Sequence, residues 1–222
     1  VLMARCTTQP FTCPHCHTQQ TFSFYETVNA REDPVLKQRL LDCSLFDFVC
    51  PACHKHARIG YPLLYHDPDR KAMVFMTDST EREQTGEVLS ALLSLPQSRV
   101  AMEGYTLRAV NQPLQMAEKL LLLDHGLDDR VVEMMKLLLF AEYHRTHPQA
   151  MLQQMVVVET DGALHIITQL AGAAPLATPL EPALYDTVRK QYAPFFPQSP
   201  MENLFVNFQW AADCFTPSST VQ

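Results

Sequence analysis

The sequence has no apolar run long enough to cross a bilayer and no excess of positive charge. A membrane-spanning helix needs about 20 consecutive apolar residues, whereas the densest run here, Leu120–Leu123, is bracketed by charged residues. The 222 residues include 17 basic and 24 acidic side chains, a formal net charge of −7. Because a nucleic-acid surface needs many Lys and Arg side chains to displace counterions, a broad surface of that kind is not expected. We expect a globular protein that does not bind membranes and does not rely on nucleic acid as its partner.

Catalytic motifs and an export signal are missing as well. The histidines outside the cysteine region are scattered, and they form neither an H-E-x-x-H motif nor the Ser, His and Asp order of a hydrolase. We therefore predict no catalytic residue. The first thirty residues lack the basic start and apolar stretch of a secretory signal. We expect a cytoplasmic protein whose seven cysteines are reduced, with Cys6 on a loose N-terminal tail.

Two short cysteine pairs of the form Cys-Pro-x-Cys dominate the N-terminal part: Cys13 with Cys16, and Cys50 with Cys53. Each pair can present two thiolates from one tight turn, and four thiolates in a tetrahedron match the preference of Zn²⁺. The sequence therefore predicts one structural zinc ion per chain, bound by these four cysteines. A redox-active dithiol is the alternative, but it usually needs a helix N-terminus to lower the thiol pKa. Iron would fit the same four ligands.

Four histidines flank these pairs, and we expect them to face solvent rather than to bind the metal. They are His15, His17, His54 and His56. In most zinc ribbons a glycine with positive φ follows the second cysteine of each pair, and this chain has His17 and His54 there. Histidine tolerates that backbone region better than most residues other than glycine.

Hydrophobic periodicity and turn residues predict an α+β protein with three parts. These parts are an N-terminal zinc ribbon with short antiparallel strands, a central helical region and a C-terminal ββαβ unit. Strands are predicted over 21–29, 58–65, 71–76, 105–110, 155–160, 164–170 and 204–210. Helices are predicted from Asp33-Pro34 onward and over 80–95, 113–123, 128–144 and 183–192. We expect one domain over residues 11–148 and a small α+β domain or sheet extension over 149–222.

One dense cluster of charged residues lies in the helical region: Asp128, Asp129, Arg130, Glu133 and Lys136. Two adjacent carboxylates near His125 could hold a divalent ion or act as acid and base. A purely structural role can account for the residues of this cluster. The two aspartates are favourable at the N-terminus of a helix, and Glu133 and Lys136 form an i,i+3 ion pair. We favour the structural interpretation.

The chain resembles the CpXC proteins of bacteria and archaea over about residues 11–143. The resemblance depends on the two Cys-Pro-x-Cys pairs with a helix-bearing insert between them. It extends to Tyr61–Asp67, to Glu118-Lys119 and to Leu127–Lys136. Four cysteines define that family, whose function is uncharacterised. The resemblance therefore implies the metal site and no particular activity.

The leading functional hypothesis is a cytoplasmic, zinc-stabilised protein that binds another protein and is not an enzyme. A zinc ion with four cysteine ligands has no open position for water or substrate. One alternative is an enzyme whose site lies away from the zinc and uses His125, Asp129 or His165. Another is a nucleic-acid-binding ribbon with its basic side chains on one face. Those side chains are Arg31, Lys37, Arg39, Lys55 and Arg58.

Overall fold

A computed structural model of the protein describes residues 4–77, 86–87 and 102–215. It is a mixed α and β structure, as predicted, and it divides into two compact units, Val1–Ala117 (unit 1) and Glu118–Gln222 (unit 2). The helix predicted over 80–95 lies outside the described residues, except for residues 86–87. The predicted domain boundary after residue 148 differs from the division after Ala117 and stays a prediction.

Unit 1 contains a five-stranded sheet that mixes parallel and antiparallel pairs. Its strands are β1 (Arg5–Thr12), β2 (Gln19–Asn29), β5 (Leu63–Asp67), β6 (Ala72–Met76) and β7 (Thr106–Val110), in the order β1-β2-β5-β6-β7. β1 with β2 and β5 with β6 are antiparallel, whereas β2 with β5 and β6 with β7 are parallel. The prediction of antiparallel strands alone is therefore wrong. The long insert between β2 and β5 is a crossover connection, which permits parallel pairing.

The insert between β2 and β5 carries a helix and a small hairpin. The helix α1 (Pro34–Leu41) begins after Asp33, as predicted, and a short 3₁₀ turn (Ser44–Phe46) follows it. The strands β3 (Asp47–Val49) and β4 (His56–Arg58) then form an antiparallel pair. The single strand predicted over 58–65 is therefore divided between β4 and β5. Each cysteine pair lies in the loop of a hairpin, the first between β1 and β2 and the second between β3 and β4.

The N-terminal segment around Cys6 is a strand and not the loose tail that we predicted. β1 pairs with β2 from Cys6 opposite Tyr25 to Thr12 opposite Gln19. Most of its side chains are exposed, so the alternation of apolar and polar residues that marks a half-buried strand is missing. Backbone pairing with β2 determines its conformation.

Unit 2 combines helices with a three-stranded antiparallel sheet. The helices are α2 (Pro113–Asp124), which begins before the division between the units, α3 (Asp129–Thr146), α4 (Pro182–Tyr192) and α5 (Phe208–Asp213). The strands are β8 (Leu152–Thr160), β9 (Ala163–Leu170) and β10 (Leu176–Pro179), in the order β10-β9-β8. The turn Asp161-Gly162 joins β8 to β9, and both of its residues have positive φ. Such a turn matches the twist of a hairpin.

The C-terminal ββαβ arrangement is wrong in its last element. Residues predicted as a strand over 204–210 form turns and the start of α5, and β10 lies between the strand predicted over 164–170 and the helix predicted over 183–192, where no strand was predicted. The Asn207 side chain accepts a hydrogen bond of 2.9 Å from the Trp210 amide and caps the helix. Leu204 and Val206 are both buried and are two positions apart in the sequence. Their spacing is that of the buried face of a strand, which explains the wrong prediction.

The core of unit 2 forms where α3, α4 and α5 pack together with the β8–β9 hairpin. Val132 and Met135 of α3, Ile166 of β9 and Ala211 of α5 are at most 1% exposed. This cluster explains why α3 carries apolar residues on most of its surface. Among the described residues, no helix has both the length and the apolar character needed to cross a membrane.

Candidate metal centre

Both cysteine turns have the same backbone hydrogen bonds. In the first, the Cys13 amide donates to the Thr18 carbonyl and the His17 amide donates to the Cys13 carbonyl, each over 3.0 Å. In the second, the Cys50 amide donates to the Lys55 carbonyl over 3.0 Å, and the His54 amide to the Cys50 carbonyl over 2.8 Å. Two equivalent turns therefore present their cysteines in the same way.

The four cysteine sulfurs form one tight group, with every pair of Sγ atoms within 4.8 Å. The Sγ atoms of Cys13 and Cys53 are 3.8 Å apart, and those of Cys16 and Cys50 are 3.6 Å apart. A tetrahedral ion with metal–sulfur bonds of about 2.3 Å requires sulfur–sulfur separations of about 3.8 Å. The group therefore fits a tetrahedral metal ion. In the part of the chain that the structure describes, these four residues form the one group of Cys, His, Asp or Glu side chains with metal-binding geometry.

The thiols of this group have unequal proton affinities. A hydrogen bond with the Thr18 hydroxyl, at 3.0 Å, lowers the pKa of Cys16 to about 6. Burial opposes ionisation of Cys50, but hydrogen bonds from the Cys53 and Ala52 amides lower its pKa. The Lys55 amide favours the thiolate of Cys53, yet burial and the neighbouring thiols raise the pKa of Cys53 to about 11. A cation that binds four thiolates must therefore displace a firmly held proton.

Aromatic rings surround the inner side of the sulfur group. Phe48 is 6% exposed and packs with Cys13 and Cys50, which are fully buried. Its ring centroid lies 5.1 Å from that of Phe11 and 5.8 Å from that of Phe22. These rings keep water from the inner sulfurs. Sequence reasoning missed them, although Phe11 precedes the first pair by two residues and Phe48 precedes the second by the same interval.

The flanking histidines lie in and next to the two cysteine turns and face solvent, as we expected. His17 and His54 have positive φ angles of 58° and 57°, which is the conformation that the usual glycine provides at this position. The ring of His15 lies 3.3 Å from the His56 carbonyl oxygen, through Nε2. All four histidines are exposed, and none belongs to the sulfur group.

The left-handed backbone at His54 gives a testable expectation. A β-branched residue is disfavoured in this conformation, so His54→Val should weaken metal binding by the four cysteines by about 1 kcal/mol. Glycine loses backbone entropy but accepts the conformation without strain, so His54→Gly should stay within about 1 kcal/mol of the parent. Competition with a chromogenic chelator measures both. His56→Val, in the neighbouring exposed strand, is the control and should bind as the parent does. Equal weakening by both valine variants would contradict the conformational explanation.

The residues of the alternative catalytic site make separate contacts. His125 lies 3.5 Å from Glu159 through Nε2 and Oε2, at the surface. The Nδ1 atom of the partly buried His165 lies 3.2 Å from the Ala163 carbonyl oxygen. Asp129 is buried beside Lys119, with 2.7 Å between Oδ2 and Nζ. The structure does not bring His125, Asp129 and His165 together in a described pocket.

The charged cluster at the start of α3 has the structural roles that we favoured. The Asp128 side chain caps the helix by accepting a 3.0 Å hydrogen bond from the Arg130 amide. Glu133 and Lys136 form the expected i,i+3 pair, with 2.9 Å between Oε1 and Nζ. This pair is buried, which the helical pattern does not indicate.

Three of the basic residues of the alternative nucleic-acid surface are engaged within the protein. Arg31 forms a salt bridge with Asp69, and Arg58 forms one with Asp47 at 2.9 Å. The guanidinium of Arg39 donates to the Ser44 carbonyl over 3.3 Å. Acidic partners therefore neutralise part of the positive charge that a phosphate backbone would need.

Comparisons with known proteins place the chain in a family through its sequence. A search of curated proteins and a search of solved structures found no match. The family model described as CpXC protein matches residues 11–136. This segment includes all four cysteines of the sulfur group, and it is more than half of the chain. The chain belongs to the CpXC protein family.

Proposed function

We propose that the four cysteines bind one Zn²⁺ ion, which holds the two hairpins of the ribbon together, and that the protein acts by binding another protein. The separations of the four sulfurs support the metal site. Four thiolate ligands complete a tetrahedron and leave no position for water or substrate, so the ion would have a structural role. Metal-coupled folding of this kind stabilises a small domain by on the order of 10 kcal/mol.

A cytoplasmic location agrees with this proposal. The sulfur group needs reduced thiols, and all seven cysteines are free of disulfides. Reducing conditions in the cytoplasm keep such thiols available for a metal. Zn²⁺ rather than iron is proposed because a closed site of four cysteines is a common structural zinc centre.

The observation that carries the interaction role is an apolar pocket in unit 2. It has a volume of about 360 Å³ and is lined by Met134, Gln191, Tyr192, Phe195, Phe196, Cys214 and Phe215. None of these side chains carries a formal charge at neutral pH. Phe195 is 76% exposed and Phe215 is 54% exposed, whereas Phe196 is 3% exposed. The pocket therefore has a buried apolar wall and exposed aromatic residues.

An apolar side chain of a partner protein is the occupant that suits this pocket best. Burial of exposed aromatic area is a main source of binding energy at protein interfaces. The lining has no positively charged side chain to pair with a phosphate or a carboxylate, which favours an uncharged apolar group over nucleic acid or a charged metabolite. The pocket is also large enough for an aromatic or branched aliphatic side chain.

Site-specific photocrosslinking tests the interaction. A photoreactive phenylalanine analogue at Phe195, in cells of the source organism, should crosslink to one discrete protein. The same analogue at Met151, which is 71% exposed and does not line the pocket, is the matched control and should not capture it. Phe215→Ser should reduce the crosslink at least severalfold, because it removes one exposed ring of the pocket. Identical capture from both positions, or no crosslink at Phe195, would contradict the proposed surface.

A further inference from the structure

The two cysteine turns have equivalent backbones, but they differ in the side chains around their second cysteines. Cys16 is the second cysteine of the first turn, and Cys53 is that of the second turn. Both are partly exposed, whereas the first cysteine of each turn, Cys13 or Cys50, is fully buried. Reagents in solution can therefore reach the sulfur group at Cys16 and at Cys53, and these are the two sulfurs to compare.

A hydroxyl group lies against the sulfur of Cys16. The Oγ1 atom of Thr18 is 3.0 Å from the Sγ atom of Cys16. A thiolate that binds a metal has lost its proton and can only accept a hydrogen bond, so in the metal-bound protein Thr18 is the donor. The Nε2 atom of Gln20 donates a hydrogen bond of 3.1 Å to the same hydroxyl oxygen. Because this bond occupies a lone pair of the oxygen, it directs the hydroxyl proton towards the sulfur.

The second turn has no counterpart of these two side chains. Counted from the second cysteine of the turn, the positions of Thr18 and Gln20 are occupied by Lys55 and Ala57. In the part of the chain that the structure describes, Cys53 interacts with the Lys55 amide and with the neighbouring cysteine thiols. Those thiols lose their protons when a metal binds, and the amide then remains as the donor.

The two exposed sulfurs therefore differ by one hydrogen bond in the metal-bound protein. Cys16 keeps two donors, the amide and the hydroxyl of Thr18, whereas Cys53 keeps the Lys55 amide. A hydrogen bond that stabilises a thiolate also makes it a weaker nucleophile. Hydrogen bonds to the ligands of a metal also fix their orientation, and removal of one typically weakens metal binding by about 10- to 100-fold.

We propose that Thr18, oriented by Gln20, is a positioning residue that protects Cys16, and that Cys53 is the ligand at which soft electrophiles modify the metal centre. In this reaction the Cys53 sulfur attacks an electrophilic carbon, a sulfur–carbon bond forms, and the leaving group departs with its electron pair. The thioether product has no charge and binds a metal more weakly than a thiolate does, so the second hairpin would be released first. This inference rests on the proposed zinc site and is independent of the interaction role.

Alkylation with iodoacetamide tests the order in which the two sulfurs react. The zinc-loaded Cys6→Ser/Cys214→Ser protein lacks the two other accessible thiols. It is treated with less than one equivalent of the reagent, and mass spectrometry of the digested protein locates the label. We expect about tenfold more label on Cys53 than on Cys16. Equal labelling, or preferential labelling of Cys16, would overturn the proposal, and this measurement requires no substitution near the metal centre.

Thr18→Val in the same background tests the role of the hydroxyl. Valine keeps the shape of threonine and removes the donor, so labelling of Cys16 should rise to within about twofold of that of Cys53, because each sulfur then keeps one amide donor. Thr21→Val is the matched control, since Thr21 is an exposed threonine of β2 that does not contact the sulfur group. It should keep the preference of the parent. An unchanged preference in Thr18→Val would overturn the assigned role.

A substitution in the second turn tests the same explanation from the opposite direction. Lys55→Thr places a hydroxyl at the position that corresponds to Thr18. Lys55→Val is the matched control, because it causes the same loss of charge without a hydroxyl. Cys53 should react severalfold more slowly in the threonine variant than in the valine variant. Equal rates would show that a hydroxyl at this position does not protect the sulfur, which would overturn the proposal.

Cobalt substitution gives a spectroscopic answer that a purely structural role of Thr18 would not produce. A hydrogen bond lowers the energy of the sulfur lone pair, so the sulfur-to-cobalt charge-transfer band should move to longer wavelength in Thr18→Val and stay in place in Thr21→Val. Identical band positions in the parent and in Thr18→Val would overturn the proposal. The zinc content of the parent, measured first, separates the two levels of the argument. A parent without zinc would refute the metal site together with this inference, whereas one zinc ion per chain with the wrong order of labelling would refute the inference alone.

Discussion

If the four cysteines bind zinc as proposed, replacing Cys50 and Cys53 together with serine should remove the metal and unfold the β1–β2 and β3–β4 hairpins of unit 1. Serine hydroxyls do not replace thiolates as zinc ligands, and the remaining two cysteines supply half of a tetrahedron. The parent should contain one zinc ion per chain, and the variant less than a tenth of that amount. Binding of the metal is expected to stabilise the folded hairpins by on the order of 10 kcal/mol, and the variant would lose this stabilisation. Elemental analysis gives the metal content, and hydrogen exchange of the β1–β2 and β3–β4 amides measures the folding of the ribbon.

A control for this experiment removes two cysteines that lie outside the sulfur group. Cys6 is exposed and Cys214 is partly exposed, so Cys6→Ser/Cys214→Ser should keep the full metal content and the protection of the ribbon amides. A coloured parent protein that contains iron would correct the identity of the metal. A parent without metal, or protected ribbon amides in the Cys50→Ser/Cys53→Ser variant, would contradict the structural role and favour redox chemistry at the four thiols.

Replacing Lys136 with methionine should destabilise unit 2 by about 3–5 kcal/mol. Methionine has a similar shape but no charge, so Glu118 would lose its closest cation and Glu133 one of its two. Removing one partner of a buried ion pair is costly because the other charge stays buried without compensation. Urea unfolding followed by Trp210 fluorescence measures the loss.

The matched control for Lys136→Met is Arg145→Met on the same helix. Arg145 also forms an i,i+3 pair, with Glu142 at 2.7 Å, but both side chains are 69% exposed. An exposed pair of this kind contributes less than about 1 kcal/mol, so this variant should unfold almost as the parent does. Similar losses for both substitutions would show that burial does not determine the energy of the Glu133–Lys136 pair.

The cysteine centre could be predicted because its information is local. A Cys-Pro-x-Cys turn is determined by its own few residues, and two such turns supply the four sulfurs of a tetrahedron. The order and direction of the strands around the turns depend instead on the path of the insert between β2 and β5. The alternation of apolar and polar residues within a strand does not indicate which strand it pairs with or in which direction. The sequence therefore did not predict the parallel pairing of β2 with β5.

The burial of the charged pair Glu133 and Lys136 could not be predicted for a similar reason. In the sequence, Glu133 and Lys136 have the spacing of an ordinary exposed pair on a helix. Their burial depends on Glu118 and Lys119 from α2, on the Val157 amide, and on the apolar residues of α4 and α5. These groups come from elements far apart in the chain, and helical spacing alone cannot indicate which side of α3 they cover.

The segment that the family model matches ends at Lys136, within α3. It contains the five buried charged side chains of α2 and α3, Glu118, Lys119, Asp129, Glu133 and Lys136. The Val157 amide, which donates to Glu118, and the covering helices α4 and α5 come after it. A fragment cut at that point would leave two lysines and three carboxyl groups in contact with water and without the apolar core around them. In this protein the C-terminal third is therefore an integral part of the fold around these charges. Exchange of family segments between proteins would have to transfer that third as well.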